Sequence, residues 1–410
     1  MAKKFEEIKE EEYPYELPEG WKWERLGNIA DVVMGQSPSG NDITDDSTFT
    51  PLIGGAADMG EVYPKVKRYT KKITKISQNN DIILCIRATL GRPIFSNGEY
   101  CLGRGVASIR PSDEIYKNFL LNMYKNFEQY LYDNATGSTF LQVTGKVLCQ
   151  MPIPLPPKET QQKIVDIIES LFAKLDIAQE KVEQVLAESE NRRSAILHNA
   201  FSGKLTEKWR KENNVSFDSW KECKFGDICK FIGGGTPRKD NDEYWNGNIN
   251  WASIKDIKGK YLNSTTDFIT EKGLNNSSAN LCSIGELIIG TRINPGKPII
   301  SNIETAINQD LKIVKSKLNT EFLYYLFTVN NKKIESLSSG STVLGIGLKI
   351  LNNIEIDIPK EEEQKEIVRL LDKFLSVEDK VKSTCQNTLE AIATMRKSIL
   401  AKAFRGELCS

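Results

Sequence analysis

Between residues 164 and 185 the apolar side chains fall at Ile164, Ile168, Leu171, Leu175, Ala178, Val182 and Val185, and Ile196 follows after a polar break. Steps of four and three place them on one stripe of a helix, the spacing of a coiled-coil seam. A second stripe runs through Ile367, Leu371, Phe374, Val381, Cys385, Ile392, Met395 and Ile399, with Glu378 and Thr388 as flaws. Prolines stand just before each stripe, Pro152 to Pro157 and Pro359, where they end the preceding element. The pattern predicts long helices over about 158–200 and 360–403. Elsewhere it is short-ranged. Ile82-Ile-Leu-Cys-Ile, Leu287-Ile-Ile-Gly and Ile354-Glu-Ile-Asp-Ile read as strands between Gly, Asn and Pro turns. Leu120 to Tyr132 and Phe322 to Asn330 read as short helices.

The two stripes belong to a repeat. Residues 137–205 recur at 340–408 with a constant offset of 203 and 21 identities in 69 positions. Gly137-Ser138-Thr139, Leu141, Lys146, Gln161, Ile164-Val165 and Arg193 match Gly340-Ser341-Thr342, Leu344, Lys349, Gln364, Ile367-Val368 and Arg396. Upstream the halves still match, but the offset wanders. Trp21, Gly27, Ile29 and Pro38 align with Trp220, Gly226, Ile228 and Pro237 at 199. Asp81 to Arg87 and Gly91-Arg92-Pro93 align with Glu286 to Arg292 and Gly296-Lys297-Pro298 at 205. Wandering offsets mean loop insertions between shared elements. The expected fold is α+β: two β-rich mixed globules, each followed by a long helix, in a pseudo-twofold internal repeat. Boundaries are expected at 1–157, 158–203, 204–359 and 360–410.

A helix of roughly 43 residues is about 65 Å long at about 1.5 Å per residue, and its stripe must be buried on something. The other copy is the natural partner. A parallel pair would need the connection Ser202 to Ser219 to return along the rod, yet its 18 residues span at most about 60 Å. An antiparallel coiled coil separating the globules is therefore expected. The second helix stops at Gly406, where the first continues into Gly203-Lys-Leu-Thr-Glu-Lys-Trp209, and the chain opens with its own lead-in, Met1 to Gly20. The two chain ends should then lie close together.

At 410 residues the chain can bury two or more cores. No apolar run reaches membrane-spanning length, and Met1 to Glu12 is charged rather than a signal peptide. The eight cysteines have no C-x-x-C spacing, and the pair Cys223 and Cys229 has no histidine nearby, so reduced thiols in a cytoplasmic protein are expected. The single histidine, His198, aligns with Ala401, which argues against a Ser-His-Asp arrangement or a His-rich metal site. There is no phosphate-loop motif and no N-P-P-[FY] or D-P-P-[YW] methyl-transfer motif; Gly233-Gly-Gly lacks the lysine and reads as a flexible turn. Net charge is zero. Residues 21–157 carry 15 basic and 13 acidic side chains and 220–359 carry 17 and 15, so charge leaves nucleic-acid binding undecided.

Several motifs follow one another along the chain, and the helix entries occur in both halves. They are Glu16-Leu-Pro-Glu-Gly-Trp21 leading to Gly27, Gly233-Gly-Gly-Thr-Pro237 with Tyr244-Trp245 and Ile249-Asn-Trp251, and the helix entries Pro154 to Ile164 and Ile358 to Ile367. Together they resemble the specificity subunit of type I restriction-modification systems, the HsdS family, over essentially the whole chain. The resemblance implies two target recognition domains, each reading one half of a split sequence in double-stranded DNA, with the helix pair as spacer. It also implies docking of methyltransferase subunits, two of them, and of an endonuclease/translocase subunit. On this reading the chain has no catalytic role, binds no metal and holds no cofactor; S-adenosylmethionine, ATP and Mg belong to the partner subunits.

Phosphate contacts would position each globule and base-edge contacts would choose sequence. Six basic residues in eleven, Lys65, Lys67, Arg68, Lys71, Lys72 and Lys75, make the best phosphate-tracking segment of the first globule. The other reading is a solvated strand edge guarded by lysines. In the second globule Arg238, Lys239, Lys255, Lys258 and Lys260 are the sparser equivalents. Arg87 and Arg92 match Arg292 and Lys297, and a shared position points to phosphate anchoring or to a structural salt bridge. Positions that differ are better suited to base choice. Gly103-Arg104-Gly105 aligns with Asn308-Gln309-Asp310, placing Arg, suited to guanine, opposite Gln, suited to adenine. Gln36 and Ser37 against Thr236 and Arg238 give a similar contrast in a loop. Two rival readings stand beside this one: a coiled-coil scaffold that binds only proteins, and an enzyme with a carboxylate-based site.

Overall fold

The computed structural model describes residues 5–137, 141–340 and 343–408; the matched Ser138, Thr139, Ser341 and Thr342 lie outside the described residues. The chain divides into two compact units, Met1–Glu183 with Gln386–Ser410, and Gln184–Cys385. Each unit therefore takes a globule together with a stretch of both long helices.

In the first unit an antiparallel sheet has the order Ala30–Met34, Val106–Pro111, Ile82–Arg87, Thr89–Phe95. Strand Ile82–Arg87 is a continuous apolar run because both its faces are covered. Ile82, Leu84 and Ile86 face Phe119, Leu120 and Met123 and the long helices, while Ile83 and Cys85 face Ile53, Leu102 and Val106. A smaller sheet, Ile43–Thr44, Tyr69–Thr70, Thr50–Ile53 and Cys101–Leu102, builds that second layer.

The second unit repeats the plan with one more strand. Its main sheet runs Cys229–Gly233, Leu311–Ser316, Leu287–Gly290, Pro298–Ser301, Tyr261–Leu262, and the last has no counterpart in the first unit's sheet. Leu287 and Ile289 face Phe322 and Leu326, while Ile288 faces Ile299 and Ile307. An acid at the matching position anchors the matching strand in both. Buried Asp81 takes Ser108 Oγ at 2.6 Å and the Arg110 guanidinium at 3.0 Å; its counterpart Glu286 takes Lys315. The expected strands at 82, 287 and 354 are present, and the short helices span Lys117–Asn126, Glu128–Asp133 and Thr320–Ser336.

The first long helix runs Lys158–Ala187 and resumes at Ser189–Phe201, broken at Glu188 in the expected polar stretch; the second runs Glu361–Phe404 without a break. In the first unit Ile164, Val165 and Ile168 share a core with Leu400, Ala403 and Phe404, so the start of one helix meets the end of the other. In the second unit Ala200 shares a core with Ile367, Leu371 and Leu375. Matched positions of the repeat make matched ion pairs: Asp176 with Arg396 at 2.5 Å in the first unit, and Asp379 with Arg193 at 2.6 Å in the second.

Three seam positions depart from expectation. Val185, Phe374 and Met395 are 39%, 37% and 53% exposed, while Leu375 is buried. A helix of 3.6 residues per turn drifts off a strict seven-residue repeat, so the buried stripe slips by one position. The flaw at Glu378 is explained by its partner: Arg192 Nε lies 3.1 Å from both carboxylate oxygens.

The lead-in and the chain's far end do meet in the first unit. The Tyr15 hydroxyl donates to the Phe404 carbonyl at 2.8 Å, and a Cβ on Gly406 would lie 2.3 Å from Pro18. The seven described cysteines are free thiols. Among the described residues no helix is long and apolar enough to cross a membrane.

Phe404 is fully buried, with its ring 5.1 Å from that of Phe119. Phe404→Ala is expected to destabilise the first unit by about 3–5 kcal/mol through the cavity it leaves. Hydrogen exchange during a denaturant series checks this: protection should fall in strand Ile82–Arg87 and hold in strand Leu287–Gly290.

Candidate nucleic-acid interface

In the first unit three segments converge at one edge of the sheets. The loop after strand Ala30–Met34 is tied to the next strand region by Gln36 N to Leu102 O at 2.8 Å and Gly35 N to Val106 O at 3.0 Å. Ser37 Oγ accepts from the Arg104 backbone N–H at 3.1 Å. The lysine-rich segment joins them: Leu102 N donates to Lys75 O at 2.8 Å and the Thr74 hydroxyl donates to Gln36 O. Gln36, Ser37, Arg104 and Lys75 are thus neighbours, all exposed.

Glycine makes this convergence possible. A Cβ on Gly35 would sit 2.1 Å from Gly103 O, and one on Gly105 would sit 2.3 Å from Gly54 O. The backbone of 103–105 is pressed between two other loops, which leaves the Arg104 side chain directed outward. Lys65, Lys67, Arg68, Lys71 and Lys72 are also exposed. Arg68 has a carboxylate near it, Asp58 at 3.6 Å, and Asp58 in turn accepts from Gly54 N at 2.7 Å.

The second unit brings the equivalent loops together with different chemistry. The Thr236 hydroxyl donates to Gln309 Oε1, and Asn308 and Asp310 bond each other where the first unit has glycines. They border a cavity of about 720 Å³ lined also by Lys239, Lys255, Trp245 and Trp251. Both indoles hold the 235–238 loop: Trp251 Nε1 donates to Gly235 O and Trp245 Nε1 to Arg238 O, each at 3.1 Å. The rings meet edge to face at 5.1 Å. The Gly233-Gly-Gly segment is therefore closely packed rather than flexible. A Cβ on Gly234 would lie 2.2 and 2.3 Å from the Ile307 and Asn308 carbonyl oxygens.

Charge differs as much as shape. Among the described residues Lys65, Lys67, Lys72 and Lys75 form no ion pair, whereas the second unit's cations are mostly countered by acids. Arg238 pairs with Asp240 at 2.9 Å, Lys255 with Asp267 at 2.7 Å and Arg292 with Asp310 at 3.3 Å. The Asp240 hydrogen bond raises the Arg238 pKa. Asp256 braces the loop that carries Lys255. Burial pushes its pKa up, but hydrogen bonds from Ser253 and Thr266 outweigh this and hold it below the usual carboxylate value. Lys258 is exposed beside it. Lys260, grouped with these in sequence, is turned away into a cluster of tyrosines and acids.

The shared arginines lie next to the site through the backbone. Ile86 N donates to Gly105 O and Thr291 N to Asp310 O, which places Arg87 and Arg292 alongside. Arg292 is held by Asp310 while Arg87 has Gly105 at the matching place. Arg92 is exposed, with Nη1 3.4 Å from Ala56 O, and Lys297 is half-buried. The cavity's Asp267 and the bracing role of the two tryptophans were not legible in the sequence. Trp245 and Trp251 stand an even number of residues apart on strand Trp245–Ala252, which was the one available signal. Among the described residues no cluster of His, Cys, Asp and Glu is placed to hold a metal ion.

Two units of similar plan, each presenting two loops that meet at one edge and differ between the units, make this an α+β protein of two related domains. The model of the type I restriction modification DNA specificity domain matches residues 18–187 and 218–391, and the chain belongs to that family. Its members are the non-catalytic DNA-recognition subunits of type I restriction-modification systems. The chain is 23% identical to the EcoKI specificity subunit of Escherichia coli over 96% of this chain and 90% of that one. To the putative MjaX specificity subunit of Methanocaldococcus jannaschii it is 30% identical, over 46% of this chain and 44% of that one. The fold is similar to the HsdS subunit of Thermoanaerobacter tengcongensis, with a TM-score of 0.65, 21% identity, and coverage of 96% and 99%. A chain from another type I restriction-modification structure gives a TM-score of 0.74 at 20% identity, covering 96% and 100%.

Gly234→Ala is expected to destabilise the second unit by about 1–3 kcal/mol, because two backbone carbonyls must move. Gly347→Ala, with nothing within 4 Å of its Cβ, should stay within about 0.5 kcal/mol. Urea denaturation of both variants compares them, and equal stabilities would contradict the close packing.

Proposed function

We propose that each globule of this specificity subunit reads one half of a bipartite target in double-stranded DNA, and that the paired long helices act as an antiparallel coiled-coil spacer between the readers. The observation that carries this reading is that the same two loops meet in both units while their residues differ, Arg104 with Ser37 in one and Gln309 with Thr236 in the other. A constant frame supplies position and divergent loops supply choice. Arg104 is assigned to guanine and Gln309 to adenine in the major groove. Lys65 to Lys75, Arg87, Arg92, Lys239, Lys255, Lys258 and Lys297 are assigned to phosphates. Arg238 and Arg292 reach DNA by exchanging their carboxylate partners.

The spacer helices and the globules are the docking site for two methyltransferase subunits, and an endonuclease/translocase subunit joins that assembly in the cytoplasm. S-adenosylmethionine, ATP and Mg are held by those partners. The matched pairs Asp176–Arg396 and Asp379–Arg193 support a pseudo-twofold spacer, since repeat-related residues make the same contact. A protein-only scaffold would have no use for two loop pairs of differing chemistry on one frame.

Lengthening the spacer tests the ruler. Four residues inserted after Glu183 and four after Cys385 add about 6 Å to each helix, close to two base-pair steps of about 3.4 Å. Methylation mapping in cells carrying the variant with its methyltransferase should show the same half-sites separated by one or two more unspecified base pairs. An unchanged gap sinks the spacer reading. For the phosphate assignment, Lys71→Gln with Lys72→Gln should lower the slope of log affinity against log salt by up to about 2. A slope equal to the parent's would assign these lysines to a solvated strand edge instead.

A further inference from the structure

Lys260 sits at the start of the extra edge strand, Tyr261–Leu262, that only the second unit's main sheet has. Its ammonium leaves that sheet and reaches two helices at once. Nζ lies 2.7 Å from Asp372 Oδ1 on helix Glu361–Phe404 and 2.5 Å from Glu321 Oε2 on helix Thr320–Ser336. It also lies 3.2 Å from the Tyr325 hydroxyl, which itself donates to Asp372. The rings of Tyr325, Tyr261 and Tyr324 surround it at 4.6, 5.5 and 5.7 Å. Tyr261 OH closes the ring of contacts by donating to Glu321 Oε1 at 2.7 Å. An ammonium has three donors, and here Asp372, Glu321 and Tyr325 stand around it.

The first unit solves the same junction differently. At the offset of 203, Asn118 occupies the place of Glu321 and Glu169 that of Asp372. There Asn118 Nδ2 donates directly to Glu169 Oε1 at 3.3 Å, and no third residue is needed. In the second unit both positions are acids, which repel when ionised and cannot bond each other. Lys260, carried in on the extra strand, turns that repulsion into a bridge.

We propose that Lys260 is a positioning residue that sets the angle of the second recognition globule on the spacer helix, and through it the strictness of the gap between half-sites. This rests on the spacer reading above. Phe322, Leu326, Leu371 and Leu375 already hold the globule to the helix by apolar contact, but such contact is non-directional and tolerates small rotations. A charge held from three sides does not. Burial disfavours the ammonium, yet Asp372 and Glu321 keep its pKa raised, so the bridge stays charged.

The test uses the full chain with its methyltransferase partner and targets whose gap is the native length or one base pair longer or shorter. Lys260→Met leaves two acids facing each other. Its preference for the native gap should fall about tenfold or more, as expected when one ion of a bridge is removed, while the half-site bases it selects stay those of the parent. Lys260→Met with Glu321→Asn recreates the first unit's amide–carboxylate pair and should restore the preference. Hydrogen exchange supplies a readout independent of methylation: helix Thr320–Ser336 should lose protection in the single variant and regain it in the double. A single variant with parental gap preference overturns the proposal, and so does a loss that Glu321→Asn fails to restore. A parent that methylates without any fixed gap overturns the spacer reading itself, and this proposal with it.

Discussion

Each globule's core is completed by chain from elsewhere in the sequence, and the architecture of both units follows from that requirement. The first unit's sheet and helices leave an apolar face that Leu400, Ala403 and Phe404 cover, at the far end of the protein. The second leaves an equivalent face for Ala200 and for Ile367, Leu371 and Leu375. Residues of both long helices are part of each core, so the apolar face is fully covered only when those segments are in place. That accounts for contact units that cut across the helices, and for a seam kept without gaps while the globules drift.

On that common base the two units spend their differences in two places. One is the pair of loops at the sheet edge. Glycines in the first unit press 103–105 flat and leave Arg104 exposed, while in the second unit Asn308 and Asp310 bond each other beside Gln309 and a tryptophan-braced cavity. The other is the seat of the globule on its helix, an amide–carboxylate bond in one unit and an ammonium between two acids in the other. Both differences are local and polar, set on apolar frames that share their plan apart from the second unit's extra edge strand. Such a division costs little, because surface polar substitutions disturb stability less than changes in a packed core do.

The apolar pattern carried most of the fold. The runs at 82–86 and 287–289 read as strands because two covered faces demand apolar side chains throughout, and the stripes read as helices because their period is helical. Phe374 was misplaced because a seam counted in sevens drifts on a real helix, and Leu375 took its burial. Gly233-Gly-Gly was misread for another reason. Glycine serves both flexibility and close approach, and only the carbonyls of Ile307 and Asn308 beside Gly234 decide between them. Lys260 shows the same limit for charge. In sequence it joins Lys255 and Lys258 as a basic run, but in space its partners come from 321, 325 and 372.

By itself, then, the sequence determined that the protein is duplicated, where its helices and main strands lie, and that the halves differ at 36–38 against 236–238 and at 103–105 against 308–310. Periodicity and internal repetition are properties of the chain read in order, so they survive without coordinates. Tertiary structure alone decided which of those divergent segments touch, which cations are already neutralised, and which lysine faces a helix instead of solvent. Those outcomes depend on side chains up to 112 residues apart in sequence meeting within a few ångströms. The gapless repeat announces that two ends of the chain must pack alike, but only the fold shows that Phe404 and Phe119 close one core and Ala200 and Phe322 the other.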